Sequence, residues 1–408
     1  MKSPAVKAVL PGNIDKTRWT ERFDFSMLAA WLVMSFILAF IAFVWFGVDF
    51  RGYYAAARVL LEGGNPYDYR LVAQVLLEVT GEMGNNPYYY PPWFAWLFIP
   101  FTYLPFQIAR MVWMTFNVIL WNISLWQLGK IISWPQMGWR RFALFTLTTF
   151  SFAWITWRYE QAGILVFGLL VALVLSIQKQ NWTWAGIWLA LLLIKPNVTL
   201  IVVAGISLWL LRQGQWRAVL VTILTLIVLV FVSTLINPDW FQPLFEEGFG
   251  QGLTVALDGP DQVVAVRINT TFPDWLRTFG LERQLSTLLY GIAICMGLVA
   301  FFWIVFRSRS LLELVSVLLL VSYAITPYAL QYDFPPLAIV LFWSLYLCIS
   351  SPKALGVGLA LAGFVFSVIF WQHNISWAYW MVVGLIALTI WGLRHNYGTT
   401  QMIKTAPE

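Results

Sequence analysis

The chain has 408 residues, of which 60% are apolar, 18% aromatic and only 11% charged, whereas soluble domains carry roughly 25% charged residues. That excludes a soluble globular protein, and since one helical crossing takes about 20 apolar residues, most of the chain belongs to crossings and the chemistry is left to loops and span ends. The formal charge of +6 then reports orientation in a membrane rather than a nucleic-acid partner.

In chain order, residues 1–24 form a polar, basic tail. The run 25–48 is too long for a secretory apolar region and lacks a small-residue cleavage site, so it reads as an uncleaved first span. Further apolar runs cover 108–128, 142–157, 162–177, 182–194, 198–211, 218–236, 285–306, 311–326, 334–349, 354–371 and 376–393. The predicted fold is an all-α polytopic membrane protein of about 12 transmembrane helices. Residues 25–394 make one membrane-embedded domain and 395–408 a second tail. With the N-terminus inside, 16 of the 25 Lys+Arg but 5 of the 19 Asp+Glu face the cytoplasm, the bias of cytoplasmic loops. Both termini are therefore expected in the cytoplasm, in a plasma (inner) membrane.

Two extracytoplasmic segments are long, 49–107 and 237–284. Within the first, Leu71, Val72, Val75, Leu76 and Val79 share a helical face near 69–80, which suits an interfacial helix. The apolar stretch Trp93 to Leu104 is too short to cross and would invert the basic loops, so it is expected as an interfacial or re-entrant helix. The second segment carries Asn237-Pro238, Gly259-Pro260 and an amphipathic stretch near 272–279; the acceptor pattern Asn269-Thr270-Thr271 within it is too common to weigh.

Charges kept at membrane depth are costly and point to function. Those at outer span ends are Asp49, Arg51, Arg158, Glu160, Lys195 and Asp333, with Arg110 just inside one. Asp49 follows the first span beside Arg51, Tyr53 and Tyr54, where partial desolvation suits a carboxylate to act as a base; the other reading is an anchor paired with Arg51. Lys195-Pro196-Asn197 joins two short runs, and Lys195 with Arg158 can hold a phosphate whose lipid tail stays in the bilayer. Otherwise Lys195 snorkels and Arg158 pairs with Glu160. Tyr88-Tyr89-Tyr90 offers rings for sugar faces or interfacial anchors. Gln331-Tyr332-Asp333 either orients an acceptor or caps a loop, and His373-Asn374 is equally open. Cys295 and Cys348 lie far from His373 and His395 in sequence, giving no zinc spacing and no disulfide framework. The residues call for no metal and no cofactor.

Asp49 after the first span, Tyr53-Tyr54-Ala55-Ala56-Ala57 running to Gly63-Gly64-Asn65-Pro66-Tyr67-Asp68, Tyr90-Pro91-Pro92 with Pro100 and Leu104-Pro105, Lys195-Pro196, and Pro327 with Tyr332 together resemble the family-87 membrane glycosyltransferases of the GT-C superfamily. The resemblance implies a GT-C-like fold and inverting transfer of a sugar, most often mannose, from a polyprenyl-phosphate donor to a lipid or glycan hydroxyl outside the membrane. It makes Asp49 the general base and Lys195 a clamp for the donor phosphate, with Arg158 beside it. Tyr53, Tyr54, Tyr90, Gln161, Asn197, Tyr332 and Asp333 are then candidates for sugar or acceptor binding. One departure is specific: Glu160-Gln161 stands where the resemblance implies Gly-Gln. A transporter or flippase of lipid-linked sugars is the alternative, but carriers place charges near the midplane and show repeats, and here charges gather at the outer rim without a repeat. A polymerase or ligase of lipid-linked glycans is a third reading.

Overall fold

The structure, a computed structural model, describes residues 25–45, 49–81, 88–132, 150–246, 270–308, 310–348, 351–370 and 378–404. The N-terminal tail, Asn269, His373 with Asn374, and part of the 237–284 segment lie outside them.

Among the described residues the chain is all helical. Helix α1 (Phe25–Trp45) leads to α2 (Phe50–Leu61), α3 (Tyr69–Thr80) and the single-turn α4 (Pro92–Trp96). The long α5 (Phe106–Ile131) follows, then α6 over 150–159, α7 (Gly163–Gln178), α8 (Trp182–Leu192), α9 (Pro196–Arg212) and α10 (Trp216–Ile236). The short α11 (Phe272–Arg277) precedes α12 (Arg283–Arg307), α13 (Leu311–Ile325), α14 (Leu337–Cys348), α15 (Pro352–Phe370) and α16 (Trp380–Lys404).

The loop helices are set by local chemistry. Asp68 accepts a 2.9 Å bond from the Arg70 amide to start α3, and Gly81, at φ +74°, ends it, the usual pairing of a side-chain cap with a left-handed glycine. The apolar stripe of α3 is not left for the membrane surface: Val72, Val75 and Leu76 are buried against Ala55 and Val59 of α2, with Leu71 and Val79 packed beside them. The stretch Trp93 to Leu104 is divided between α4 and a 3-10 turn, Ile99–Tyr103. Pro100 in that turn and Pro105 before α5 lack the N–H a continuous helix requires.

Three described helices, α5, α10 and α12, are long and apolar enough to cross a membrane, and eight shorter apolar helices accompany them. Of the twelve expected crossings, three thus coincide with described helices that are both apolar enough and, at about 20 residues or more, long enough to span the hydrocarbon. On α10 and α12 many apolar side chains point outward: Ile227, Val228, Phe231, Leu288, Met296 and Val299 are all exposed. So broad an apolar exterior is what a lipid-facing surface requires.

Neighbouring helices pack in chain-local groups: α1 on α5, α5 on α7, α7 on α8, and α8 on α10. A second group joins α9, α12, α13, α14, α15 and α16. Trp113, Trp121, Trp157, Phe167 and Phe334 are fully buried between them. The α6–α7 turn is buried in this body and meets the start of α2 through Gln161, which bonds to Asp49 and Tyr53, and the α8–α9 turn joins them through Lys195.

Candidate active site

Four stretches of chain meet: the start of α2, the segment before α4, the α6–α7 turn and the α8–α9 turn. A fifth, the 3-10 turn Gln331–Asp333, closes on them because Gly163 opens α7. A Cβ at Gly163 would lie 2.1 Å from the Tyr332 carbonyl oxygen, so only glycine permits this approach.

Gln161 is the centre of the cluster. Its Nε2 donates to Asp49 Oδ2 at 2.5 Å. Its Oε1 accepts from the Tyr53 hydroxyl at 2.6 Å, the Tyr90 hydroxyl at 2.7 Å and Lys195 Nζ at 3.2 Å. The two hydroxyls are themselves 3.0 Å apart. One amide therefore links the acid and the cation.

Lys195 is buried and forms an ion pair with Asp333. Its ammonium also lies 4.9 Å from the Tyr332 ring centre and 5.5 Å from that of Tyr90, within cation–π range. Burial alone works against its charge, but the Asp333 carboxylate and the Tyr90 hydroxyl together more than offset this and hold the ammonium above the ordinary lysine value. Asp333 is fixed in turn by the Leu330 amide, which donates to Oδ2 at 2.9 Å.

Asp49 keeps some exposed surface, and its amide donates to the Tyr159 carbonyl at 3.3 Å. The packing around it raises its carboxyl above the ordinary aspartate value, against the lowering effects of Gln161, Lys195 and Arg51. Burial likewise pushes the Tyr53 and Tyr90 hydroxyls up, so both remain hydrogen-bond donors at neutral pH.

Of the residues singled out in the sequence, Asp49, Tyr53, Tyr90, Gln161, Lys195, Tyr332 and Asp333 come together. Tyr54 turns away, donating to the Leu104 carbonyl at 3.1 Å and packing on Phe106. Asn197 fastens α9 to the segment before the 3-10 turn through the Tyr328 carbonyl at 3.0 Å. Arg158 lies against its neighbour Tyr159, whose ring stands 5.4 Å from Tyr332.

Glu160 forms an ion pair with Arg110 of α5 rather than the pairing with Arg158 that sequence proximity suggests. The backbone at Glu160 is left-handed, φ +57°. The position therefore favours glycine, and here a glutamate occupies it. Burial pushes the Glu160 carboxyl up to about 7 despite Arg110. The sequence marked Arg110 only as a charge just inside an apolar helix, without a partner. Among the described residues no group of three His, Cys, Asp or Glu side chains is arranged to hold a metal ion.

Residues 88–328 match the profile of glycosyltransferase family 87, a span well over half of the chain. The chain belongs to that family. It is a membrane glycosyltransferase, and the matched span contains Tyr90, Arg110, Glu160, Gln161 and Lys195. Asp49 and Tyr53 precede the span and Asp333 follows it, so in this family-87 chain the fold joins residues from inside and outside the matched region. No curated protein matches the chain.

Proposed function

We propose that this glycosyltransferase moves a hexose, mannose being the first choice, from a polyprenyl-phosphate donor to a hydroxyl of a lipid or glycan acceptor. The work is done on the extracytoplasmic side of a plasma membrane, in a GT-C-like body with both termini in the cytoplasm. The observation that carries the reading is that Asp49 and Lys195 both bond to Gln161. A base and a cation lie on either side of one amide, a spacing that suits a single displacement.

In that step Asp49 takes the proton of the acceptor hydroxyl as its oxygen bonds to the anomeric carbon. The bond from that carbon to the donor phosphate breaks, and the phosphate leaves with the electron pair. Lys195 stabilises the departing charge where water is largely excluded, which is where a fixed charge is most effective. Attack opposite the leaving group inverts the anomeric centre. The raised carboxyl of Asp49 brings its basicity closer to working pH. Tyr53, Tyr90 and the Gln161 amide present hydroxyl and amide groups to the sugar, and Arg158 contributes to the phosphate clamp from the Tyr159 side. Membership of a glycosyltransferase family favours transfer over transport.

The test is transfer from polyprenyl-phosphate mannose, and from other polyprenyl-phosphate hexoses, by purified protein in vesicles. Asp49→Asn is expected to abolish transfer while retaining donor binding; undiminished turnover in that variant removes Asp49 from the chemistry.

A further inference from the structure

Asp49 and Gln161 come from stretches far apart in the chain, and a residue near each, Phe43 in α1 and Glu160 beside Gln161, is tied to one face of α5. Arg110 Nη2 donates to the Phe43 carbonyl at 2.9 Å, in the last turns of α1 before Asp49, and its guanidinium lies 4.2 Å from the Phe43 ring centre. The Nε of the same guanidinium bonds to the Glu160 carboxylate. One turn along α5, Trp113 Nε1 donates to the Glu160 carbonyl at 2.9 Å. Residues three apart share a helix face, so Arg110 and Trp113 hold Glu160 at its side chain and backbone together. The next residue is Gln161.

We propose that Arg110 and Glu160 are positioning residues for the transfer reaction: one guanidinium bridges the end of α1 and the α6–α7 turn, and so sets the spacing between Asp49 and Gln161. Catalytic geometry is sensitive to misplacement of about 1 Å, and the left-handed backbone at Glu160 is tolerated because the ion pair and the Trp113 bond hold it. Lysine cannot replace Arg110 in this role. An ammonium is a point charge without the planar fork that reaches two acceptors in fixed directions.

The proposal rests on the reading of Asp49 as base for its catalytic meaning, but its geometric core is tested without turnover. Infrared difference titration follows the Asp49 carboxyl, assigned by its loss in Asp49→Asn. Glu160→Gln removes the charge and keeps an acceptor for Arg110; Glu160→Gly removes both and suits φ +57°. With the Gln161 donor displaced, Asp49 is expected to titrate at higher pH in Glu160→Gly than in Glu160→Gln. Transfer at saturating substrate is expected to fall roughly 10- to 100-fold in Glu160→Gly and in Arg110→Lys, with a smaller change in donor KM, and to return toward wild type in Glu160→Gln. Coincident Asp49 titrations in Glu160→Gly and Glu160→Gln overturn the proposal, as does wild-type transfer by Arg110→Lys. If Glu160→Gly does not fold, the Asp49 titration and rate of Arg110→Lys decide it. If Asp49→Asn retains transfer while the titration shift is present, the base assignment fails and the positioning role stands.

Discussion

Lys195 and Asp333 pair with side chains only 6% and 0% exposed, joining the α8–α9 turn to a 3-10 turn that follows α13. A buried pair is weak evidence for net stability, yet removing one partner leaves an uncompensated charge and costs about 3–5 kcal/mol. Lys195→Met and Asp333→Asn are each expected to lower thermal stability strongly, and the double variant to lose less than the two effects added together. A double-mutant cycle on melting temperature checks this; strict additivity shows that the two groups do not depend on one another.

The pH dependence of transfer follows from the sign of the Asp49 shift. Its carboxyl titrates above the ordinary aspartate value of 3.8, and only the deprotonated form accepts a proton. Activity is therefore expected to fall with decreasing pH earlier than an ordinary aspartate would dictate, and Gln161→Ala, which removes a donor to Asp49, is expected to move that limb to still higher pH. The acid limb of kcat/KM in the two proteins is the measurement, because kcat/KM reports the free enzyme.

Glu160 gives the opposite trend for stability. Its carboxyl is raised from 4.5 to about 7 in the folded protein, so between those values the folded state binds more protons than the unfolded one. Its contribution is fully present below pH 4.5 and is lost as pH rises through about 7. The melting temperature of the wild type is expected to fall relative to Glu160→Gln across that window. Parallel curves show that Glu160 has the same affinity for protons in both states.

Much of this arrangement was legible in the sequence because charges are costly in an apolar chain. Asp49, Lys195 and Asp333 stood out as charges at span ends, and the structure brings them to one cluster. The extent of the apolar runs located the apolar helices, but runs such as those of α8 and α14 carry the same hydropathy whether they cross a bilayer or end within the protein. The stripe of α3 was equally ambiguous, since a face that suits lipid also suits α2. What the sequence did not disclose were pairings between distant stretches. Nothing near Arg110 names Glu160 as its partner, and the local neighbour Arg158 was the natural choice. The hub role of Gln161 was hidden for the same reason, an amide being visible only through the groups that converge on it.

Gly163 is the position where one methyl group reports on the whole assembly. A Cβ there would meet the Tyr332 carbonyl oxygen at 2.1 Å and Pro335 at 3.0 Å, and the first of these is backbone, which cannot rotate aside. Gly163→Ala is expected to push the 3-10 turn away from α7, carrying Asp333 from Lys195 and Tyr332 from its ammonium. Overpacking of this kind costs typically about 1–3 kcal/mol, so the protein should still fold with a lowered melting temperature. Transfer should fall further than the loss of folded protein explains, because Lys195 loses the neighbour that holds its charge in place. Specific activity per folded molecule, measured beside the melting curve, separates the two effects; wild-type specific activity would show that the close approach of the turn is not needed for the site.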